Sequence, residues 1–183
     1  LLYFYADHID EKSHHHSQEY NSLEIVYSLE STPMGTGGAL RHSIKHLSTD
    51  YAIVMNGDSY AECKIDDLFE FHRLNRATVT ILLVRVSDVS RYGSVRIDRN
   101  NHIVEFAEKD EGSNSESGFV NAGIYLVDRD TICKIPRGIE YSLEQEFFPV
   151  LVGDRLFGYK TEGKFMDIGT PESYKSAASF FEQ

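Results

Sequence analysis

Tyr51-Ala52-Ile53-Val54-Met55-Asn56-Gly57-Asp58 is the stretch that decides the fold. Five consecutive apolar residues mark a strand covered on both faces. The run stops abruptly at Asn56-Gly57-Asp58. Downstream, Ile65, Leu68, Phe69 and His72 recur at helical spacing, with Asp66 and Asp67 near the positive end of that helix. Thr78 to Val86 is a second fully buried strand. Gly93 to Asp98 and His102 to Ala107 form a pair around Arg99-Asn100-Asn101, a hairpin turn. Asp110 to Gly118 is polar and reads as a mobile loop, and Phe119 to Val127 returns to strand.

Ser142 and Gln145 make a capping box for a helix with Leu143, Phe147 and Leu151 on its apolar side. A final strand pair brackets Tyr159 to Phe165. The last helix takes Thr170 as N-cap and Pro171 at its first position, and is expected to bury Tyr174, Ala177, Ala178 and Phe181. Upstream of the deciding stretch, Ala39 to Leu47 reads as a short helix after a Gly-rich turn. Leu23 to Leu29 is strand-like with period two, and Leu1 to Ala6 is a buried strand in mid-flow. Alternating strands and helices with a central hairpin give one α/β domain, a mixed and mostly parallel sheet flanked by helices.

Composition narrows the function. The chain has 183 residues and a formal net charge of −11, which argues against nucleic acid or anionic lipid as partner. Hydrophobic residues at 41% and charged residues at 26% are ordinary globular usage, so general disorder is excluded. No apolar run approaches the ~20 residues of a membrane span. Cys63 and Cys133 are too few for a disulfide framework and read as buried thiols of a reducing, cytoplasmic setting. His14-His15-His16 reads as a solvated loop, because adjacent histidines do not converge on one ion.

Three places could carry chemistry. Asp58 lies just past the apolar strand, where open α/β sheets place ligands, and Asp167 sits between a strand and a helix start. Two such carboxylates plus substrate phosphates suit Mg²⁺; capping of a turn is the alternative for each. In Pro33-Met34-Gly35-Thr36-Gly37-Gly38-Ala39, three glycines before a helix let backbone N–H groups approach a ligand, with a tight turn as the alternative. Glu108-Lys109 and Asn121-Ala122-Gly123 offer a charge for a phosphate and partners for hydroxyls, against a surface ion pair and a strand-end Asn.

Taken in order, these segments resemble the sugar-1-phosphate nucleotidyltransferase family. Glu30 and Pro33–Ala39 are followed by Asn56-Gly57-Asp58 and Tyr92-Gly93-Ser94-Val95. Glu108-Lys109, Val120-Asn121-Ala122-Gly123-Ile124-Tyr125 and Phe165-Met166-Asp167-Ile168-Gly169-Thr170-Pro171-Glu172 complete the set. The wording is most similar to the short heptose 1-phosphate guanylyltransferase kind. The resemblance implies a Rossmann-like nucleotide-diphospho-sugar transferase fold. It implies a reaction of NTP with sugar 1-phosphate to give NDP-sugar and pyrophosphate, of the GDP-heptose or GDP-mannose type with GTP as the preferred guess.

By the same resemblance, Asp58 and Asp167 hold Mg²⁺, and Lys109 joins them as catalytic. Glu30, Gly35, Thr36 and Gly38 line the nucleotide pocket, and Gly93, Glu108, Asn121 and Lys109 receive the sugar phosphate. The family's opening Gly-Gly-x-Gly-Thr-Arg loop has no counterpart in this sequence. The expectation is therefore a single nucleotidyltransferase domain over 1–183 lacking that segment, whose residues alone give little or no turnover. A catalytically silent nucleotide-sugar-binding subunit is the competing reading. A glycosyltransferase ranks behind both, because Asp58 is followed by Ser59 rather than a second acid. A homo-oligomer is compatible with all three.

Overall fold

The computed structural model describes residues 18–20, 23–89, 92, 94–107 and 117–181. The expected strand Leu1 to Ala6, His14–His16, Gly93, Glu108, Lys109 and most of the loop from Asp110 lie outside the described residues. Strands β1 (Gln18–Tyr20) and β2 (Leu23–Ile25) pair antiparallel ahead of α1 (Gly35–Ser43). Then come β3 (Tyr51–Met55), β4 (Ser59–Ala61), α2 (Ile65–Leu74) and β5 (Val79–Val86). The hairpin β6 (Ser94–Ile97) and β7 (Ile103–Ala107) precedes the long β8 (Gly118–Asp128) and the short α3 (Arg129–Ile132). A π-turn over Leu143–Phe147 runs into α4 (Phe148–Val150), followed by β9 (Leu156–Thr161), β10 (Phe165–Asp167) and α5 (Pro171–Phe181).

Side-chain alternation along β5 and β8 makes the core two-sided. Val79, Ile81, Leu83, Tyr125 and Val127 pack with Leu40, Ile132, Leu143 and Phe148 on one face. Leu82, Val84, Val120, Ala122, Ile124 and Leu126 pack with Leu68 of α2 on the other. The central sheet runs β3-β8-β5-β9. Strand β8 is antiparallel to both β3 and β5, while β5 and β9 are parallel. Three strands therefore share a direction and β8 opposes them, in keeping with a mixed, mostly parallel sheet between helices.

Several expectations change. Strand β3 packs on both faces in its middle, Ala52 and Val54 on one side and Ile53 on the other, but its ends Tyr51 and Met55 are 36% and 38% exposed, and among the described residues it pairs only with β8. The last strand pair is not a pair, since β9 joins β5 and β10 joins β4 in a separate ribbon. Helix α5 begins as predicted, with Ser173 N–H donating to Thr170 Oγ1 at 3.2 Å. It buries no residue, however: Tyr174 is 68% and Phe181 59% exposed, because the helix lies beyond the sheet with the β4–β10 ribbon as its support. Cys133 is exposed at the end of α3 and Cys63 half-buried, so neither is the buried thiol expected. The capping box forms through Gln145 N–H on Ser142 Oγ at 3.1 Å, but Glu146, not Gln145, returns the bond to Ser142 N–H at 2.7 Å. Among the described residues no helix is long and apolar enough to cross a membrane.

Several polar groups are buried inside this packing, His72 among them. His72 of α2 meets Thr80 Oγ1 through Nδ1 at 2.8 Å and Asp128 Oδ1 through Nε2 at 2.9 Å, tying α2 to β5 and β8. Burial outweighs the attraction of Asp128 and lowers the imidazole pKa below its ordinary 6.5. The unfolded chain then binds the proton first as pH falls, so this contribution is complete above 6.5 and shrinks below it. Urea midpoints should fall between pH 7.5 and 5.5 in the native protein and fall less in His72→Gln. Equal slopes in the two proteins would remove His72 as the cause.

Candidate active site

The turn after β3 is locked from two sides. Asn56 N–H donates to the Gly123 carbonyl at 2.8 Å, and the Asn56 side chain lies against Gly123. Gly123 has φ +74°, and a Cβ there would sit 3.0 Å from Asn56 Nδ2. The Gly in Asn121-Ala122-Gly123 is thus needed both for its left-handed backbone and for the close approach. On the other side Ile168 N–H donates to the Asp58 carbonyl at 2.8 Å, and Asp167 stands opposite Ser59 in the β4–β10 register.

These locks bring together two acids far apart in sequence. A Cβ built on Gly169 would lie 2.9 Å from Asp167 Oδ1 and 3.5 Å from Asp58 Oδ2. Both carboxylates therefore border one small space that Gly169 keeps open. Asp167 Oδ1 also accepts the Gly169 N–H at 2.6 Å, so this Asp closes its own turn while facing that space. Such a pair fits Mg²⁺, which takes one or two protein carboxylates and completes its shell with substrate phosphates and water. Among the described residues no group of three or more His, Cys, Asp or Glu gathers elsewhere as a richer metal cage.

The glycine segment differs from the expected open loop, because Gly35 to Gly38 form the first turn of α1 itself. The Tyr141 carbonyl accepts the N–H groups of Gly37 at 2.8 Å and Gly38 at 3.1 Å, so these donors are already used. A Cβ on Gly38 would come within 2.6 Å of the Ile139 carbonyl, so this glycine lets the 139–141 backbone pass against the helix. Glu30 likewise has a local partner, accepting the Met34 N–H at 3.0 Å ahead of α1.

Thr36 points instead toward Glu144, a residue the motif reading missed. Glu144 Oε2 accepts Thr36 Oγ1 at 2.7 Å and Ser142 Oγ at 3.2 Å, while Oε1 accepts the Tyr125 hydroxyl at 3.0 Å. Asn121 Nδ2 donates to that same hydroxyl at 2.9 Å, and Asn56 adds a further side-chain bond to it. Burial, then the charge of Glu144, hold the Tyr125 phenol well above the ordinary phenol range. The result is a continuous polar chain from α1 through the π-turn to β8 and the Asn56 turn. It joins Thr36 to Asn121, expected to serve nucleotide and sugar respectively. The sequence signal of Glu144 was only an acid two residues after Ser142, which the Ser142–Gln145 capping box does not use.

Two substitutions test this geometry. Gly123→Ala should cost roughly 1–3 kcal/mol in urea unfolding through backbone strain. Tyr125→Phe should cost roughly 1–2 kcal/mol, because Asn121 and Glu144 lose a shared partner in a half-buried setting. Native-like stability in both would contradict the arrangement.

The comparisons with known proteins follow from this geometry. The sequence matches the family model described as nucleotidyl transferase over residues 4–183. It is 40% identical over 155 residues to the mannose-1-phosphate guanylyltransferase of Mycobacterium tuberculosis, covering 83% of this chain and 43% of that one. It is 30% identical over 159 residues to the D-glycero-alpha-D-manno-heptose 1-phosphate guanylyltransferase of Aneurinibacillus thermoaerophilus, covering 86% and 67% respectively. Among solved structures, HddC from Yersinia pseudotuberculosis complexed with GMP-PN superposes with a TM-score of 0.77 at 31% identity, over 88% of this chain and 69% of that one. The chain thus spans less than half the length of the mycobacterial relative. On the match across residues 4–183, the chain belongs to the nucleotidyl transferase family.

Proposed function

We propose that the protein is a sugar-1-phosphate nucleotidyltransferase, joining an NTP to a sugar 1-phosphate with release of pyrophosphate. GTP is the preferred nucleotide and the product a GDP-sugar of the mannose or heptose kind, a preference supported by the guanylyltransferase relatives. The observation that carries the reading is the shared space of Asp58 and Asp167 beside Gly169. There the two carboxylates would hold Mg²⁺, whose bound charge neutralises the phosphates as the sugar phosphate oxygen displaces pyrophosphate.

The chain's own residues then position the reactants, and no covalent intermediate is required. Glu30, Gly35, Thr36 and Gly38 border the nucleotide, with Thr36 fixed in place by Glu144. Asn121 receives the sugar together with Gly93 and Glu108, and Lys109 meets its phosphate. Net acidity is no obstacle, because the divalent ion and local cations set the potential at the site.

The test is pyrophosphate release by the full-length protein with GTP and mannose 1-phosphate or a heptose 1-phosphate, run against the other NTPs. Turnover should need Mg²⁺ and fall about a hundredfold or more in Asp58→Ala, while the fold survives because Asp58 lies at an exposed turn. No release with any pair would defeat the reading. Unchanged turnover in Asp58→Ala, or unfolding of that variant, would leave Asp58 as a turn cap.

A further inference from the structure

Arg41 is an unusual residue to find in the core. It is 7% exposed, and its one hydrogen bond among the described residues runs from Nε to the Ile135 carbonyl at 3.2 Å. The ion pairs among those residues lie elsewhere, at His72–Asp128, Arg96–Glu105 and His102–Asp98. The Arg41 Nη groups keep access to solvent, since the buried side-chain N or O without a partner among the described residues is Ser28 Oγ.

Arg41 lines a half-open cavity of about 420 Å³ between α1 and the segment from α3 to Gly138. Lys45, Arg129 and Arg137 line it together with Arg41, as does His42, and among the described residues no Asp or Glu does. Four cationic side chains around one concavity stand out on a chain of net charge −11. Basic residues ending α1 could be explained by that helix's dipole. Arg129 and Arg137 come from a different part of the chain, so the dipole does not account for them. Met34 and Ile44 supply apolar wall.

None of Thr36, Asp58, Asn121, Glu144 and Asp167 lines the cavity. Met34, Arg41 and Lys45 fall on one side of α1. Thr36, which carries the bond to Glu144, lies on the opposite side with Leu40 and Ser43. We infer that this cavity is a second ligand site, selective for a small phosphate-bearing anion held by Arg41, Lys45, Arg129 and Arg137. Arginine forks match phosphate oxygens in pairs, and a concave basic site focuses the field on a multiply charged ligand. A pyrophosphate, a nucleoside diphosphate and a sugar phosphate share that chemistry.

Calorimetry on the full-length protein in EDTA tests it, because without a divalent ion Asp58 and Asp167 repel anions. Pyrophosphate, GDP and mannose 1-phosphate are titrated in turn, with sulfate as the control for charge alone. At least one phosphate compound should bind saturably and more tightly than sulfate. Its dissociation constant should rise about tenfold in Arg129→Gln and in Arg137→Gln, both exposed and so safe for folding, and stay unchanged in Arg73→Gln and Thr36→Ala. Whichever of the three shows this pattern identifies the source. No saturable binding, binding no tighter than sulfate, insensitivity to both pocket substitutions, or loss in Thr36→Ala would each overturn the proposal.

Discussion

Strands β4 and β10 are three residues each, yet the candidate site depends on their antiparallel pairing. That register sets Asp167 opposite Ser59 and so places Asp58 and Asp167 at one end of the ribbon. Two like charges side by side repel, and nothing in local propensity favours such a short pair. Its support comes from outside: the Asn56–Gly123 lock holds one strand to β8, and the Ile168 N–H on the Asp58 carbonyl holds the other. The two-sided core built on β5 and β8 is the base on which this is fixed.

Much of that base was legible in the sequence. Thr78–Val86 read as buried because nearly every residue of β5 is apolar, and both faces of the strand are covered. The β6–β7 turn was legible from Asn101, which takes φ +66°. Asp58 and Asp167 stood out as acids at strand ends. What failed was whatever depends on neighbours not adjacent in sequence. The apolar stripe of α5 predicted burial, but the narrow β4–β10 ribbon that meets it through Tyr60 leaves no residue of the helix buried. Tyr51–Met55 looked central and is an edge strand among the described residues. Glu144 belongs to no motif, and the approach of Thr36 and Tyr125 from other elements is what gives its two oxygens their distant partners. The glycines of α1 read as ligand-facing, and the passing 139–141 backbone that claims them cannot be seen from local pattern.

Charge is distributed with more structure than the net value suggests. The two acids of the candidate site meet at the end of the β4–β10 ribbon, whereas Arg41, Lys45, Arg129 and Arg137 line a cavity beside α1 that neither acid lines.

The central claim is that Asp58 and Asp167 act as one site. A double-mutant cycle of Mn²⁺ affinity, read by electron paramagnetic resonance on the full-length protein, measures this directly. Either Asp58→Asn or Asp167→Asn should abolish most of the binding, with the second substitution adding little. Additive losses, or full affinity in either single variant, would contradict the account.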